Sequence, residues 1–501
     1  MRNLSALVPG SIMPGEATGL HYDSRKVGPG FLFFAVPGFK EDGTQYVASA
    51  LEKGAIAAVI KKGSQVAPEL RTKCIAVENV RRSLAVASAE FYDHPARKLK
   101  LYGVSGTKGK TSTVYILEAI FRAAGRATAL MGTVEVRHPG RRAYSDKTTM
   151  ESLDLHGFLA EAVANGSDTA LMEVSSHALS LDRVWGLEFE GVLFTNLSED
   201  HLDFYGDMET YFQSKKLLFA PPFRRTDTIA ITNKDEPYGS RIAKECPGRW
   251  LTFGEKKNHE KSGHVDFEIS NVETTARKNS FTLDGPGIGS FELTSRLVGD
   301  FSIPNAAGAA VLALGAGIGM DAIRKGVAEA YVPGRLDQVE SNLPFSVFID
   351  YAHMGHALEN VLGSLRRLCR GKLIVVFGAG GDRPPDRRTQ MGSVAARLAD
   401  LSVITSDNPR SEDPMKIISA IEGAFHSAGG KDCRVEADRK KAIQLALRSA
   451  GPGDIVCIAG KGHETGQLIG AQVFPFDDKA EAAAALRELE KKQGVDTVLR
   501  N

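Results

Sequence analysis

Residues 103–113 read Gly-Val-Ser-Gly-Thr-Lys-Gly-Lys-Thr-Ser-Thr. Glycines let backbone N–H groups close around phosphate oxygens, and a helix that follows adds the positive end of its dipole. Gly106, Thr107, Lys108, Gly109, Lys110, Thr111 and Ser112 are therefore candidate ATP contacts. Lys110 has the reach for the β- and γ-phosphates, and the Thr111 hydroxyl suits Mg²⁺. The spacing departs from G-x-x-x-x-G-K-[ST], because Val104 stands where the first glycine belongs. An ordinary glycine-rich turn competes with this reading. The strand before the loop and the apolar stripe Val114, Leu117, Ile120 and Phe121 after it favour phosphate. Alone, the segment specifies a nucleoside triphosphate user and nothing finer.

Two further apolar runs end in groups that bind metals. Leu171-Met172-Glu173 leads into Ser175-Ser176-His177, and Phe194-Thr195-Asn196 leads into Glu199-Asp200-His201. A carboxylate and an imidazole at the ends of neighbouring strands could hold a second Mg²⁺ near a γ-phosphate. Taken singly, His177 and His201 read as polar loop residues. Three more strand-to-loop junctions carry Gly380-Gly381-Asp382-Arg383, Asp407-Asn408-Pro409-Arg410 and Gly460-Lys461-Gly462-His463-Glu464. Two arginines, a glutamate and backbone groups suit a ligand with both carboxylate and ammonium groups.

These segments need elements to position them. Short β-branched runs at 345–350, 373–377, 401–405 and 455–459 each break into glycine and polar residues before a helical segment. Strands alternating with helices imply a parallel sheet, whose ligands bind beyond the carboxyl ends of the strands. The chain has 501 residues, which suggests about three domains. The blocks expected are 1–97, 98–332 and 333–501, all α/β. Fifty-one glycines fit many tight turns, and a net charge of +1 gives the chain as a whole no pull toward nucleic acid or an anionic membrane. Five scattered cysteines without CxxC spacing argue against disulfides and structural zinc. With no apolar core at the N-terminus and no membrane-spanning run, a cytoplasmic protein is expected. The stretch 479–492 reads as a solvent-exposed terminal helix.

The series G-T-K-G-K-T-S at 106–112, E-V-S-S-H-A-L at 173–179 and N-L-S-E-D-H-L-D at 196–203 resembles the Mur ligase family over nearly the whole chain. The resemblance implies an N-terminal UDP-binding α/β domain, a central P-loop ATPase-like domain with a mostly parallel sheet, and a C-terminal Rossmann-like domain. It implies joining of an amino acid to a nucleotide-linked cell-wall precursor through an acyl phosphate. By the same resemblance Lys110, Glu173, His201 and Lys215 are catalytic. Thr111, Glu173, His201 and a carbamylated Lys215 hold Mg²⁺. Helical spacing does not separate Lys215 from Lys216, since both have apolar neighbours three or four residues away.

Ser24 in Asp23-Ser24-Arg25, with Thr148, Thr149, Ser175 and Arg183, matches residues that contact the UDP substrate. Lys147 stands where Asn is common and Met150 where Pro is common. Asn305 resembles a residue near adenine and Arg335 one near the phosphates. Asp350-Tyr351-Ala352-His353 matches a family motif, continued here by Met354-Gly355 instead of Thr-Pro. Asp-Asn-Pro-Arg resembles members that add meso-diaminopimelate, with Arg383, Asp407, Asn408, Pro409, Arg410, Gly460 and Glu464 forming the site. The expected partners are ATP, UDP-MurNAc-L-Ala-D-Glu and meso-diaminopimelate, with no nucleic acid and no membrane insertion, and a monomer is expected. L-lysine as acceptor, folylpolyglutamate synthesis and a non-catalytic nucleotide-binding scaffold are the competing readings.

Overall fold

The computed structural model describes residues 1–38, 41–258 and 263–492. Residues 493–501 of the third block lie outside them. The chain divides into two compact units: 1–270 with 283–291 and 304–327, and 271–282 with 292–303 and 328–501.

Besides a short antiparallel pairing of Arg2–Asn3 with Glu16–Ala17, the first unit is built on two larger sheets. The smaller is parallel, in the order Gly19–His21, Phe31–Phe34, Ala57–Lys61, Cys74–Val77. Phe33 and Phe34 point to opposite faces, as strand alternation requires, and fill two separate apolar clusters. In the larger sheet Lys100–Ser105 lies between Thr169–Glu173 and Gly191–Phe194, all parallel. Register sets Glu173 beside Val104 and Phe194 beside Ser105. The phosphate loop, Glu173 and the Thr195-Asn196 loop therefore leave the sheet at one edge. Glu135–His138 and Arg141–Tyr144 complete that side as an antiparallel hairpin, so the sheet is parallel at its centre and not throughout.

The second unit is built on a six-stranded sheet in the order Asp337–Val339, Ser346–Asp350, Ile455–Ala459, Leu373–Phe377, Leu401–Ile404, Cys433–Val435. All neighbours but the first pair run parallel. The four runs expected from the sequence are all strands. Buried side chains cover both faces of the sheet, which is why these strands read as continuous apolar runs.

One expectation fails. The helix Asp478–Lys492 is not a solvated appendage: Ala482, Ala485 and Leu486 are buried against Val347, Ile349, Ile374 and Val376. The alanines keep the apolar face narrow, so the many Glu and Lys residues conceal it in the sequence. All five cysteines are free thiols.

Candidate active site

The helix Lys110–Ala123 starts directly from the loop, with Ser112 in its first turn. Gly109 sits at φ 83°, and a methyl group there would overlap the Asn305 amide, so glycine meets both a backbone and a packing demand. The loop is held from beneath by its neighbour. Thr107 N donates to Asn196 O (2.9 Å), Lys108 N to Asn196 Oδ1 (3.0 Å), and Thr195 Oγ1 to Lys108 O (2.7 Å). Lys110 Nζ donates to Gly106 O (2.9 Å) and Thr107 O (3.0 Å), folding back over the loop it would serve.

Glu173 is buried at the strand end. Its carboxylate accepts from Thr111 Oγ1 (3.0 Å to each oxygen), Thr133 N (2.7 Å) and Thr133 Oγ1 (3.1 Å). No ion pair holds it among the described residues. A buried carboxylate with only neutral donors, one of them a second oxygen ligand, fits a hard cation that would balance its charge.

Lys215 and Lys216 part company here. Lys216 pairs with Glu245 (2.7 Å). Lys215 is 1% exposed, and its Nζ donates to Gly106 O (2.8 Å) and lies 4.7 Å from the Tyr211 ring centre. Burial, with the nearby Lys110 charge adding, holds the Lys215 ammonium well below the usual lysine range. A buried amine biased toward its neutral form is the form that adds CO₂.

His201 precedes the short helix Leu202–Tyr205 at φ 55°, and its ring packs edge-on against His177 (4.8 Å between centroids) and near Tyr211 (6.1 Å). Burial lowers its pKa; Asp200 opposes this, and Lys215 and Lys110 add to it. The imidazole is thus biased toward the neutral, metal-binding form. No ready-made cluster of three His, Cys, Asp or Glu occurs among the described residues. Were Lys215 carbamylated, it would join Thr111 and Glu173 in a chiefly oxygen donor set, which suits Mg²⁺.

The residues expected to bind substrate form a second group beside Glu173. Thr149 Oγ1 donates to Glu173 O (2.8 Å), Ser175 N donates to Thr149 Oγ1 (3.1 Å), and the Thr133 and Thr148 hydroxyl oxygens lie within hydrogen-bond distance (3.0 Å). Ser175 also caps the helix Ser176–Ser180. Arg183 Nη1 donates to Thr149 O (3.1 Å), and its Nε lies 2.9 Å from Glu151. Lys147 Nζ (3.2 Å) and Arg81 (3.4 Å) reach the same Glu151 carboxylate, so the departure at 147 adds a cation to this cluster. Met150 packs against the apolar core. Ser24 is buried in the turn Ser24–Lys26, capped by Asp23, and makes no hydrogen bond to this group among the described residues.

In the second unit the loops after four strands enclose a cavity of about 400 Å³. Its walls include Arg383, Arg387 and Arg410, and Asp382, Asp407 and Glu464. Arg410 adopts φ 52° and is clamped by the hairpin Gly466–Ile469/Gln472–Pro475: its N donates to Leu468 O (3.0 Å), and Gly470 N donates to its carbonyl (2.7 Å). Its Nη1 donates to Gly381 O (2.7 Å). Pro409 O accepts from Glu412 N (3.1 Å), and Gly381 N donates to Asn408 O (2.9 Å). Asn408 Nδ2 donates to Glu464 Oε2 (2.9 Å). Asp407 and Gly460 line the cavity, and Asp407 Oδ2 is buried with no donor among the described residues. Arg335 lies over the Tyr351 ring (4.9 Å). Met354 leaves the helix Gly355–Leu368 without a side-chain cap, and Gly355 lets Gln390 approach where a Cβ would collide.

Sequence reasoning missed Thr133, Glu151, Arg387 and Lys461. Thr133 and Glu151 sit in a hairpin turn and at a helix start, where such residues are common for local reasons alone. Lys461 lay in plain view inside Gly-Lys-Gly-His-Glu.

The Mur ligase middle domain model matches residues 104–313, the Mur ligase glutamate ligase domain model 334–462, and the Mur ligase family catalytic domain model 16–92. A UDP-N-acetylmuramoyl-L-alanyl-D-glutamate–2,6-diaminopimelate ligase of Geobacter metallireducens is 39% identical over 497 residues, covering 95% of each chain. The chain belongs to the Mur ligase family. A ligase of the same name from Thermosynechococcus vestitus is 40% identical, covering 97% of this Mur ligase and 96% of its own length. A solved structure, also of a UDP-N-acetylmuramoyl-L-alanyl-D-glutamate–2,6-diaminopimelate ligase, is 28% identical with a TM-score of 0.69, covering 97% of this chain and 99% of its own. The N-terminal, middle and C-terminal matches run in the order of a three-domain α/β Mur ligase.

Proposed function

We propose that this Mur ligase joins meso-2,6-diaminopimelate to UDP-N-acetylmuramoyl-L-alanyl-D-glutamate, consuming ATP and releasing ADP and phosphate in peptidoglycan precursor synthesis. The observation that carries this reading is the cavity of the second unit, where three guanidinium groups face three carboxylates. Diaminopimelate bears two carboxylates and two ammonium groups. L-lysine lacks one carboxylate and would leave a guanidinium unpaired, at roughly 1–3 kcal/mol. Full-length similarity to ligases named for that amino acid supports the same choice.

In the proposed reaction the carboxylate of the D-Glu residue attacks the γ-phosphorus, and the bond to the ADP oxygen breaks. An acyl phosphate forms. The diaminopimelate amine attacks its carbonyl carbon, the bond to phosphate breaks, and the nitrogen gives up a proton. No side chain acts as nucleophile, so catalysis rests on positioning and charge neutralisation. Lys110 and the loop 106–112 cradle the phosphates, with Asn305 and Arg335 as further nucleotide contacts. Ser24, Thr148, Thr149, Ser175 and Arg183 hold the UDP substrate. Thr111, Glu173, His201 and Lys215 as its carbamate would hold Mg²⁺. The ion, when bound, neutralises phosphate oxygens. Arg383, Asp407, Asn408, Pro409, Arg410, Gly460 and Glu464 bind diaminopimelate.

The blocks 1–97, 98–332 and 333–501 would divide UDP-substrate, ATP and amino-acid binding, in a monomer. A cytoplasmic location fits soluble nucleotide substrates, and no described helix is long and apolar enough to cross a membrane.

Mass spectrometry of the nucleotide product tests this reading. Incubation with ATP, Mg²⁺, UDP-MurNAc-L-Ala-D-Glu and meso-diaminopimelate should add one diaminopimelate residue, with one phosphate released per product. ATP hydrolysis without a larger nucleotide, or no turnover at all, would contradict it.

A further inference from the structure

Lys461 is completely buried behind the cavity of the second unit and is not among the residues lining it. Its ammonium donates to Asn408 Oδ1 (3.0 Å) and to Glu464 Oε2 (3.0 Å). Leu468 N donates to the same Asn408 oxygen (2.9 Å). An ammonium and a backbone N–H can only donate, so the Asn408 atom they share must be the amide oxygen. The amide nitrogen is thereby turned toward Glu464. Asn408 then offers a ligand only N–H, which suits a carboxylate.

Glu464 is set in the same way. Its Oε2 takes both the Lys461 and Asn408 donors. Its Oε1 accepts no hydrogen bond among the described residues, which leaves one carboxylate oxygen for a ligand ammonium. Hydrogen bonds between ionised groups are the stronger ones, and they fix direction as well as distance. Without the ammonium, Leu468 N alone would hold the Asn408 oxygen, and Glu464 Oε2 would lose its charged donor.

We propose that Lys461 is a positioning residue for the amino-acid substrate, locking Asn408 as donor and Glu464 as acceptor toward the cavity. This rests on the cavity's being the amino-acid site. Lys461 touches no substrate and acts through two residues that do.

A double-mutant cycle tests the proposal, with Lys461→Met, Glu464→Gln and the two together, read as KM for each of the three substrates. Lys461→Met should raise KM for diaminopimelate about tenfold or more, with KM for ATP and for the UDP substrate unchanged. Because Lys461 acts in part through Glu464, adding Lys461→Met to Glu464→Gln should raise KM by a smaller factor than adding it to wild type. Multiplying effects would overturn the proposal, and so would a rise in KM for all three substrates together. Lys461→Gln, which keeps a donor toward Asn408 and loses the charge, should give a smaller rise, and wild-type behaviour in it would also overturn the idea. If the wild-type protein turns over with L-lysine and not diaminopimelate, the substrate assignment fails. The same cycle run on L-lysine then still decides the role of Lys461.

Discussion

Lys215 and Lys216 are adjacent, yet one is sealed beside Gly106 and the other pairs with a surface glutamate. The sealed amine is costly to the fold and useful to the chemistry. Lys215→Met gives up one hydrogen bond to a carbonyl, worth about 0.5–1.5 kcal/mol, and relieves the desolvation of an amine. Its melting temperature should therefore stay within a few degrees of wild type, or rise, while phosphate release falls at least about 100-fold. Parallel calorimetry and phosphate assays check both halves. His156 makes a separate prediction. Burial, with the His94 charge adding, lowers its pKa to about 4. A histidine depressed in the folded state contributes stability that is complete above pH 6.5 and lost as pH falls toward 4. His156→Leu should remove that dependence, so urea unfolding of wild type should weaken by up to about 3 kcal/mol more than the variant between pH 7 and pH 4.

Elements carry these residues in a way the sequence partly discloses. The four apolar runs of the third block could be read directly, because strands buried on both faces need no polar alternation. Their carboxyl ends then located Arg383, Asn408, Arg410 and Glu464 on one cavity. The choice of Lys215 over Lys216 is invisible to periodicity, since it depends on Gly106 of the phosphate loop, 109 residues away in the chain. The terminal helix reads as solvated because its apolar buried stripe is made of alanine and one leucine. That helix also supplies Asp478, fully buried and bonded to Arg439 at 2.7 Å through both oxygens. Arg439 donates in turn to Ala459 O (2.9 Å) and Ser406 O (3.4 Å), bracing two cavity loops. Asp478→Asn leaves a buried guanidinium without its counter-charge and should cost about 3–5 kcal/mol in urea unfolding.

At the scale of the whole molecule the chain carries two sites of different character. The first unit gathers a phosphate loop, a buried carboxylate, a depressed lysine and a neutral-leaning histidine at one sheet edge. The second presents balanced guanidinium and carboxylate groups around a cavity. Neither site alone makes an amide bond, so ATP turnover should require both the nucleotide substrate and the amino acid. The central claim is that the second site selects an amino acid with two carboxylates. The most direct test is initial phosphate release at fixed ATP and UDP-MurNAc-L-Ala-D-Glu, with meso-diaminopimelate or L-lysine varied to give kcat/KM for each. The account predicts a ratio of at least about 100 in favour of diaminopimelate. Equal or greater efficiency with L-lysine would contradict it.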